Sequence, residues 1–429
     1  MLLVASGILA FLYPSFFSLR IPQSEIRTQG ETPSPLSLPL PDKPSIAVMP
    51  FTNMSGDPEQ EYFSDGLTDD LITDLSQIAS LFVIARHSTF TYKGKAVKVQ
   101  DVSKELGVRY VLEGSVRKTE DQVRINAQLV DATTGHHVWA QRYDRPLKDI
   151  FALQDEIVQK IVTTLKLQLT LQERGYVTRK HTDNLEAYDA FLRGQEYFWR
   201  FTKETNARAR QMWEKAVALD PQYAEAYMWL GTTYYMEWIW RWSLDPQNLE
   251  RTVEQAQRAV ALNDSLPAAH SLLSWGYVQK HQYDQAIAEG ERAIALDPNR
   301  ADSYAWQADA LNLAGRPEEA LKMVKQAMRL NPRYPPWYSF ELGFAYRLTG
   351  RYTEAIATLK EALSRGPNHL GALSILSFCY VRQWVSQQSA DAQALEQALA
   401  AAQQLITFND ASPWGHLALG HISILPKAV

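Results

Sequence analysis

The sequence contains a single cysteine, Cys379, among 429 residues. One cysteine excludes an intramolecular disulfide and any cysteine-rich metal site. Cys379 falls within an apolar stretch with a helical pattern, so we expect it to be a small buried residue without a chemical role.

Basic residues are not in excess. The chain has 43 Lys and Arg against 48 Asp and Glu, which gives a formal net charge of −5. A nucleic-acid-binding domain normally carries a basic patch or stripe. We therefore expect no nucleic-acid partner.

The chain is poor in long apolar runs, and the clearest one is at its start. Residues 1–19 carry no charge, although Pro14 interrupts them. Their length is near the lower limit for a membrane-spanning helix. No basic segment precedes the run and no small-residue cleavage site is clear, which disfavours a secretory signal peptide. We expect a single-pass anchor over 1–19. Because the run begins at the first Met, we also expect this chain to be the C-terminal part of a longer architecture.

Proline is concentrated directly after this run. Residues 20–43 contain five prolines, with Ser, Thr and Leu between several of them. Such a composition is typical of an extended, poorly packed linker. The predicted linker separates the anchor from the rest of the chain.

Residues 44–171 alternate between strand and helix patterns, which predicts an α/β domain with a mixed sheet and helices. Short apolar runs predict buried strands at 45–51 and 81–85. Three alternating runs joined by turn residues predict further strands at 110–118, 122–131 and 137–143. Helical periodicity covers 59–79, 99–106 and 150–171.

Four segments of this domain have sequences that resemble the motifs of a known family. They are Pro-Ser-Ile-Ala-Val-Met-Pro-Phe at 44–51, Phe-Ser-Asp-Gly-Leu-Thr-Asp-Asp at 63–70, Leu-Gly-Val-Arg-Tyr-Val-Leu-Glu-Gly-Ser-Val-Arg at 106–117 and Trp-Ala-Gln-Arg-Tyr-Asp-Arg at 139–145. The stretch resembles the TolB amino-terminal-like domain. In bacteria such domains adjoin tetratricopeptide arrays, and the pair often follows a class III adenylate or guanylate cyclase, winged-helix or kinase domain. A membrane helix commonly lies between.

The resemblance implies a sensory or interaction module, not an enzyme. It also implies a bacterial inner-membrane protein, single-pass, whose soluble part is periplasmic. We expect no cyclase catalytic domain within the printed residues before the α/β domain, because there are only about forty of them and such a domain needs far more.

Two features of the α/β domain could carry chemistry. Acidic residues crowd the start of the predicted helix at 59–79, at Asp65, Asp69, Asp70 and Asp74. We expect them to complement the helix dipole or lie on a solvated face, not to bind a metal. Arg86 and Ser88 could hold an anion, or Arg86 could pair with a nearby carboxylate. No nucleophile, base and orienting group come together, so we expect no catalytic residue, cofactor or metal.

The C-terminal half repeats itself. Pro332 follows Pro298 by 34 residues and Pro367 follows Pro332 by 35, with Ala293, Ala327 and Ala362 in phase ahead of them. Period and residue order are typical of tetratricopeptide repeats, which are helix–turn–helix units that stack into a solenoid. We expect an all-α array over 184–429, with about six repeats plus a terminal helix at 412–425.

In such an array the first helix of each repeat lines a concave groove. Taking the phase from the prolines, the groove residues would be Tyr235, Trp275, Asp309, Asn312, Trp337, Phe344 and Arg347. Aromatic and polar groups in this mixture favour recognition of a protein or peptide. Alternatively, individual aromatic residues pack between repeats.

The second repeat carries an anomaly. Its end, Asp264, follows Pro221 by 43 residues, which predicts an insertion of about nine residues relative to the usual repeat. The inserted segment contains Trp238, Trp240 and Trp242. These tryptophans either pack on the scaffold or form a patch for a partner or ligand.

The sequence thus predicts a membrane-tethered, non-enzymatic scaffold that binds a protein or peptide partner. Two alternatives remain open. The chain could regulate a separately encoded cyclase or kinase in trans. The α/β domain could instead bind a small ligand or a cell-envelope component through Arg86 and Ser88.

Overall fold

The computed structural model describes residues 38–167, 169–170, 182–367, 369–386 and 392–408. The predicted anchor at 1–19, most of the predicted linker at 20–43 and the predicted terminal helix at 412–425 lie outside these residues. Among the residues described, none of the helices has the length and apolar character needed to cross a membrane.

The α/β domain is built on one mixed sheet. Its strands are β1 (Ser45–Val48), β2 (Thr52–Asn53), β3 (Phe82–Val83), β4 (Tyr110–Lys118), β5 (Gln122–Asp131) and β6 (His136–Pro146). The order across the sheet is β3-β1-β4-β5-β6, and β2 pairs with β4. Strand β1 is parallel to β3 and β4, whereas β4, β5 and β6 form an antiparallel meander. The predicted mixed sheet is confirmed.

Helices cover the sheet. They are α1 (Glu61–Ser76), α2 (Arg86–Phe90), α3 (Val99–Leu106) and α4 (Ile150–Thr164). The apolar stripes of α1 and α4, including Leu67, Leu71, Ile157 and Ile161, share one buried cluster with the inner face of β4 and β5. The predicted helix at 150–171 ends early, since Lys166 adopts a left-handed φ of 54° that a helix does not continue through.

The repeats follow as antiparallel helix pairs. Their helices are α5 (Leu185–Phe198), α6 (Lys203–Leu219), α7 (Ala224–Ile239), α8 (Asn248–Leu262), α9 (Pro267–Gln279), α10 (Tyr283–Leu296), α11 (Ala301–Leu313), α12 (Pro317–Leu330), α13 (Pro336–Leu348), α14 (Tyr352–Arg365), α15 (Leu370–Ser386) and α16 (Ala392–Phe408). The in-phase residues Ala293, Ala327 and Ala362 are completely buried. Small side chains at these points let the helices approach closely, as the repeat pattern predicts.

A left-handed residue reverses the chain between the two helices of each of the first five pairs. In two pairs it is glycine, with a φ of 78° at Gly315 and 76° at Gly350. Phe201, Arg241 and His281 take the same kind of conformation in the other three, with φ values of 55°, 48° and 58°. Glycine adopts this region without strain, whereas a side chain there carries a cost. The repeat geometry therefore dictates the turn even where its sequence is unfavourable.

The α/β domain packs against the edge of the array that carries the turns between repeats. Asn299, in the turn between α10 and α11, donates from Nδ2 to the carbonyl oxygens of Ser76 at 2.7 Å and Ile78 at 3.2 Å. Ser76 donates to Asp297 at 2.6 Å in the same turn. In the next turn, Ser88 donates to Asn331 at 2.6 Å.

Apolar contacts surround these hydrogen bonds. A buried cluster joins Phe82 and Leu106 of the α/β domain to Ala305, Leu330 and Tyr338 of the array. A second cluster continues from α1 and α4 into α5 and α6. Because both clusters cross the boundary, the domain and the array are packed as one body.

Replacing Asn299 by Ala tests this interface. The change would remove the Asn299 donor from the carbonyl oxygens of Ser76 and Ile78, of which Ile78 keeps a second donor in the amide of Leu81. A buried polar group that loses its partner costs about 1–3 kcal/mol. We expect a lower free energy of unfolding, measured by urea denaturation. The unfolding transition should either move to a lower urea concentration or split, so that the domain and the array no longer unfold together. Gln222→Ala is the matched control, because Gln222 occupies the equivalent place in the turn of the first repeat and is exposed. Equal stability of the two variants would contradict the prediction.

Candidate functional site

The candidate site is the concave face formed by the first helices of successive repeats. Helices α7, α9, α11, α13 and α15 each contact the next one in this series. The α/β domain contacts the turns and the amino-terminal ends of α11 and α13. The carboxyl-terminal halves of these helices are therefore outside that interface, and they carry most of the predicted groove residues.

An aromatic cluster occupies the centre of this face. The ring of Tyr235 on α7 lies 3.8 Å from that of Trp275 on α9 and 6.4 Å from that of Trp306 on α11. Tyr235 and Trp275 are only 8% and 5% exposed. They mainly hold neighbouring repeats together, which was the alternative interpretation of these residues. Trp306, by contrast, is only half-buried.

Two carboxylates lie beside the aromatic cluster. Asp309 is one helical turn beyond Trp306 on α11, and Glu341 comes from α13. Asn312 joins the two helices, since its Nδ2 donates to the backbone oxygen and to Oε2 of Glu341, both at 3.3 Å. Burial raises the pKa of Tyr235, and the charges of Asp309 and Glu341 raise it further.

Asp309 is the unusual member of this set. Within the residues described it makes no side-chain hydrogen bond or ion pair, and burial raises the pKa of its carboxyl to about 7. Asn312 is also incompletely satisfied, because its Oδ1 is buried and accepts no hydrogen bond from the described residues. Groups of this kind cost folding free energy. Stability alone does not account for them.

The remaining predicted groove residues separate into two places. Arg347 lies over the ring of Phe378 at 4.6 Å and near that of Phe344 at 5.5 Å, and burial lowers the pKa of its guanidinium. Phe344 itself is 3% exposed. Trp337, by contrast, packs on the cluster between the array and the α/β domain. Its position in the first turn of α13 puts it at the covered edge, so placing it in the groove was wrong.

The three tryptophans of the second repeat do not form one row. Helix α7 extends to Ile239, so Trp238 is helical and packs on Trp275 at 5.6 Å. Trp240 and Trp242 lie on Phe201 at 5.3 and 5.9 Å. Each ring packs on the scaffold, as the first of the two interpretations has it.

The candidate anion site in the α/β domain is occupied by the protein itself. Arg86 lies 3.4 Å from Asp69 and between the rings of Phe90 and Trp199, at 3.7 and 4.4 Å. Ser88 is fully buried against Asn331. The ion-pair interpretation of Arg86 is therefore correct.

Acidic residues of α1 also form ion pairs and hydrogen bonds with other side chains. Asp65 pairs with Lys93 at 2.6 Å, and Asp70 accepts hydrogen bonds from Tyr188 and, at 2.8 Å, from Gln154. The expectation that they lie on a solvated face was wrong for these residues. Tyr188 belongs to α5, so Asp70 contributes to the contact between the domain and the array.

Two residues of the site were missed in the sequence. Trp306 precedes Asp309 by three positions, and Glu341 precedes Phe344 by three. Residues at this spacing share a helix face. The phase of the predicted groove residues was therefore enough to find both.

Comparison with known proteins identifies the repeats. Tetratricopeptide-repeat models match residues 277–341 and 338–369. The C-terminal part is a tetratricopeptide array. A thermophilic tetratricopeptide protein of Thermus thermophilus matches in structure, with 21% identity, a TM-score of 0.38 and coverage of 47% of this chain and 100% of that one.

The model that matches the α/β domain is the second domain of HilA/YgeH-like transcriptional regulators, over residues 42–160. It is not the TolB-like domain expected from the motifs. Two curated proteins extend these matches. The chain is 46% identical over 248 residues to putative adenylate cyclase 3 of Rhizobium meliloti (strain 1021), covering 58% of this chain and 42% of that protein. It is 23% identical over 320 residues to the transcriptional regulator HilA of Salmonella typhimurium, covering 73% and 55%. The chain thus spans about half the length of these relatives.

Replacing Asp309 by Asn should stabilise the protein at neutral and alkaline pH. The carboxyl ionises near pH 4 when unfolded but has a pKa of about 7 when folded, so the folded state loses stability as the pH rises between these values. Asn resembles the protonated form. We expect a melting temperature a few degrees higher at pH 8, with the difference from the parent vanishing towards pH 4. Glu254→Gln, an exposed carboxyl on α8, is the control. A lower melting temperature for Asp309→Asn at pH 8 would refute the assignment.

Proposed function

We propose that this protein is a non-enzymatic, membrane-tethered scaffold that binds a protein or peptide partner in the groove of its repeat array. In this proposal it is the sensory or regulatory half of a bacterial signalling architecture. It sits in the inner membrane through a single helix at 1–19, with its soluble part in the periplasm. The kinship of the α/β domain with TolB-like sensory domains belongs to the same proposal.

The observation that carries the proposal is the groove between the first helices of the repeats. It combines a half-buried Trp306, the carboxylate of Asp309 and the incompletely bonded amide of Asn312. Rigid aromatic surface with a few polar groups is the usual composition of a peptide-binding site. The α/β domain leaves this face uncovered because it packs on the edge that carries the turns.

A second candidate is regulation of a separately encoded cyclase or kinase in trans. The similarity to putative adenylate cyclase 3 favours a cyclase as the target. In this case the repeat groove would still be the contact surface, and the partner would be the catalytic protein. A small-ligand role for Arg86 and Ser88 is less attractive, since both contact residues of the array.

Crosslinking followed by pull-down from membranes tests the groove. Trp275 and Phe344 are too buried to serve, because their replacement would disturb packing. We suggest Trp306→Ala combined with Arg347→Ala, two half-buried positions on α11 and α13. We expect a partner that crosslinks to the parent chain and is lost, or reduced about tenfold, with the double variant.

Leu348→Ala is the control for this experiment, because Leu348 follows Arg347 on the same helix but is 39% exposed. Retention of the partner by the double variant, at the level seen with Leu348→Ala, would exclude the groove. Identification of the partner as a cyclase or kinase would select the second candidate.

Membrane tethering has its own test. We expect the full chain to remain with membranes after alkaline carbonate washing, and a chain without residues 1–19 to be released, because a spanning helix resists this wash. Protease added to spheroplasts should degrade the array if it is periplasmic. Protection of the array in intact spheroplasts, with cleavage only after lysis, would place it on the other side.

A further inference from the structure

The groove has an acidic centre. Asp309 from α11 and Glu341 from α13 both act on the phenol of Tyr235, which comes from α7. Burial raises the pKa of Asp309, and no cationic side chain in the described part of the chain offsets that rise. Arg347, two turns beyond Glu341 on α13, stacks on Phe378 and Phe344 instead. The centre of the groove therefore holds a carboxyl, Asp309, that is only partly ionised at neutral pH, because no ion pair among the described residues compensates its charge.

A buried acceptor adds to this charge. Asn312 is 3% exposed, and its amide nitrogen is already committed to Glu341. Its Oδ1 is buried and receives no hydrogen bond from any described residue. An amide oxygen held in this way lacks a donor, and leaving that hydrogen bond unmade is costly. The missing group is thus a hydrogen-bond donor.

Aromatic faces complete the surroundings. The rings of Trp275 and Trp306 both lie within 6.4 Å of the ring of Tyr235, and Trp306 is the half-buried member. Tryptophan faces attract cations, and the attraction grows when the cation is desolvated. A positively charged donor would satisfy the rings, the carboxylate and the amide oxygen together.

We propose that the centre of the groove, formed by Tyr235, Trp306, Asp309, Asn312 and Glu341, receives the side chain of a lysine or arginine from the partner. This inference rests on the proposed peptide-binding function and specifies the partner's chemistry. An ammonium group offers three donors and a guanidinium five, and neither accepts hydrogen bonds. The site supplies acceptors at the carboxylate of Asp309 and at the Oδ1 of Asn312, and the carboxylate of Glu341 is bonded to the same Asn312.

Other side chains fit this site poorly. An acidic side chain would be repelled by Asp309 and Glu341. A neutral donor could bond to Asn312 but would leave the charge of Asp309 uncompensated in a desolvated place. The unfavourable carboxylate is then explained as a group whose cost in the free protein is recovered when the cation enters.

The test uses synthetic peptides of known sequence. Nonapeptides, acetylated and amidated so that their ends are uncharged, carry one fixed central residue among randomised uncharged positions. The fixed residue is lysine, arginine, norleucine, glutamine or glutamate. Binding to the full chain in detergent micelles is measured first, and the best sequence is then resynthesised with glutamine in place of its cation. We expect lysine or arginine pools to bind best and the glutamine version to lose affinity by about 10- to 100-fold.

The variant Asp309→Asn makes the test specific to the site. Because it removes an unfavourable charge, it should fold at least as well as the parent, so a loss of binding is not a loss of structure. We expect it to weaken the cationic peptide by about tenfold or more while leaving its weaker glutamine version unchanged. Glu254→Gln, an exposed change, should bind like the parent.

The outcomes separate the two proposals. Peptide binding without preference for lysine or arginine, or an equal effect of Asp309→Asn on both peptides, would overturn the cation site and leave groove binding in place. A preference for norleucine or glutamate would also overturn it. If no pool binds and the pull-down recovers no partner through the groove, the proposed function fails with it.

Discussion

The structure depends on the buried hydrogen bonds between the α/β domain and the turns that join successive repeats. Asp297 and Asn331 occupy the same place one repeat apart, each directly before a proline, and they accept hydrogen bonds from different segments of the domain, at Ser76 and Ser88. A solenoid otherwise contacts only its own neighbours. These hydrogen bonds fix two consecutive turns to the α/β domain, at the end of α1 and at α2, which restricts the repeat between them. The result is a groove whose helices α11 and α13 are held at a set spacing before any partner arrives.

The fixed spacing of α11 and α13 explains how the array keeps unfavourable buried polar groups. Without the α/β domain, the helices could shift to relieve them. Asp309 and Asn312 both lie on α11, and Asn312 also bonds to Glu341 of α13, so both polar groups belong to helices that the interface anchors. Their cost is offset by the apolar clusters that cross from the domain into the array. Functional sites commonly keep unfavourable groups that the surrounding structure supports. The stable interface at the edge of the array therefore supports the unfavourable polar groups in the groove.

The sequence was sufficient to predict those elements that depend on residues close to one another in the chain. Strands β4 and β5, the short helix α3 and the in-phase alanines follow from periodicity, which depends on residues near one another in the chain. It was insufficient where long-range packing decides. Trp337 and the acidic residues of α1 contact partners that are distant in the chain, and no spacing shows that. The left-handed conformation of Phe201, Arg241 and His281 was not predicted for a related reason. Stacking of the repeats imposes a turn that their side chains disfavour.

The same helices serve the interface and the groove, and this has a mechanical consequence. On α11, Ala305 is buried in the interface cluster while Asp309 is one turn further along in the groove. On α13, Tyr338 and Glu341 stand in the same relation, and Tyr338 donates to Asp302 of α11 at 2.5 Å. A partner that changed the spacing of α11 and α13 would have to move both ends of each helix, because a helix transmits such a shift along its length. The hydrogen bonds of Asn299 and Asn331 oppose that movement, so a partner that changed this spacing would also have to disturb contacts with the α/β domain.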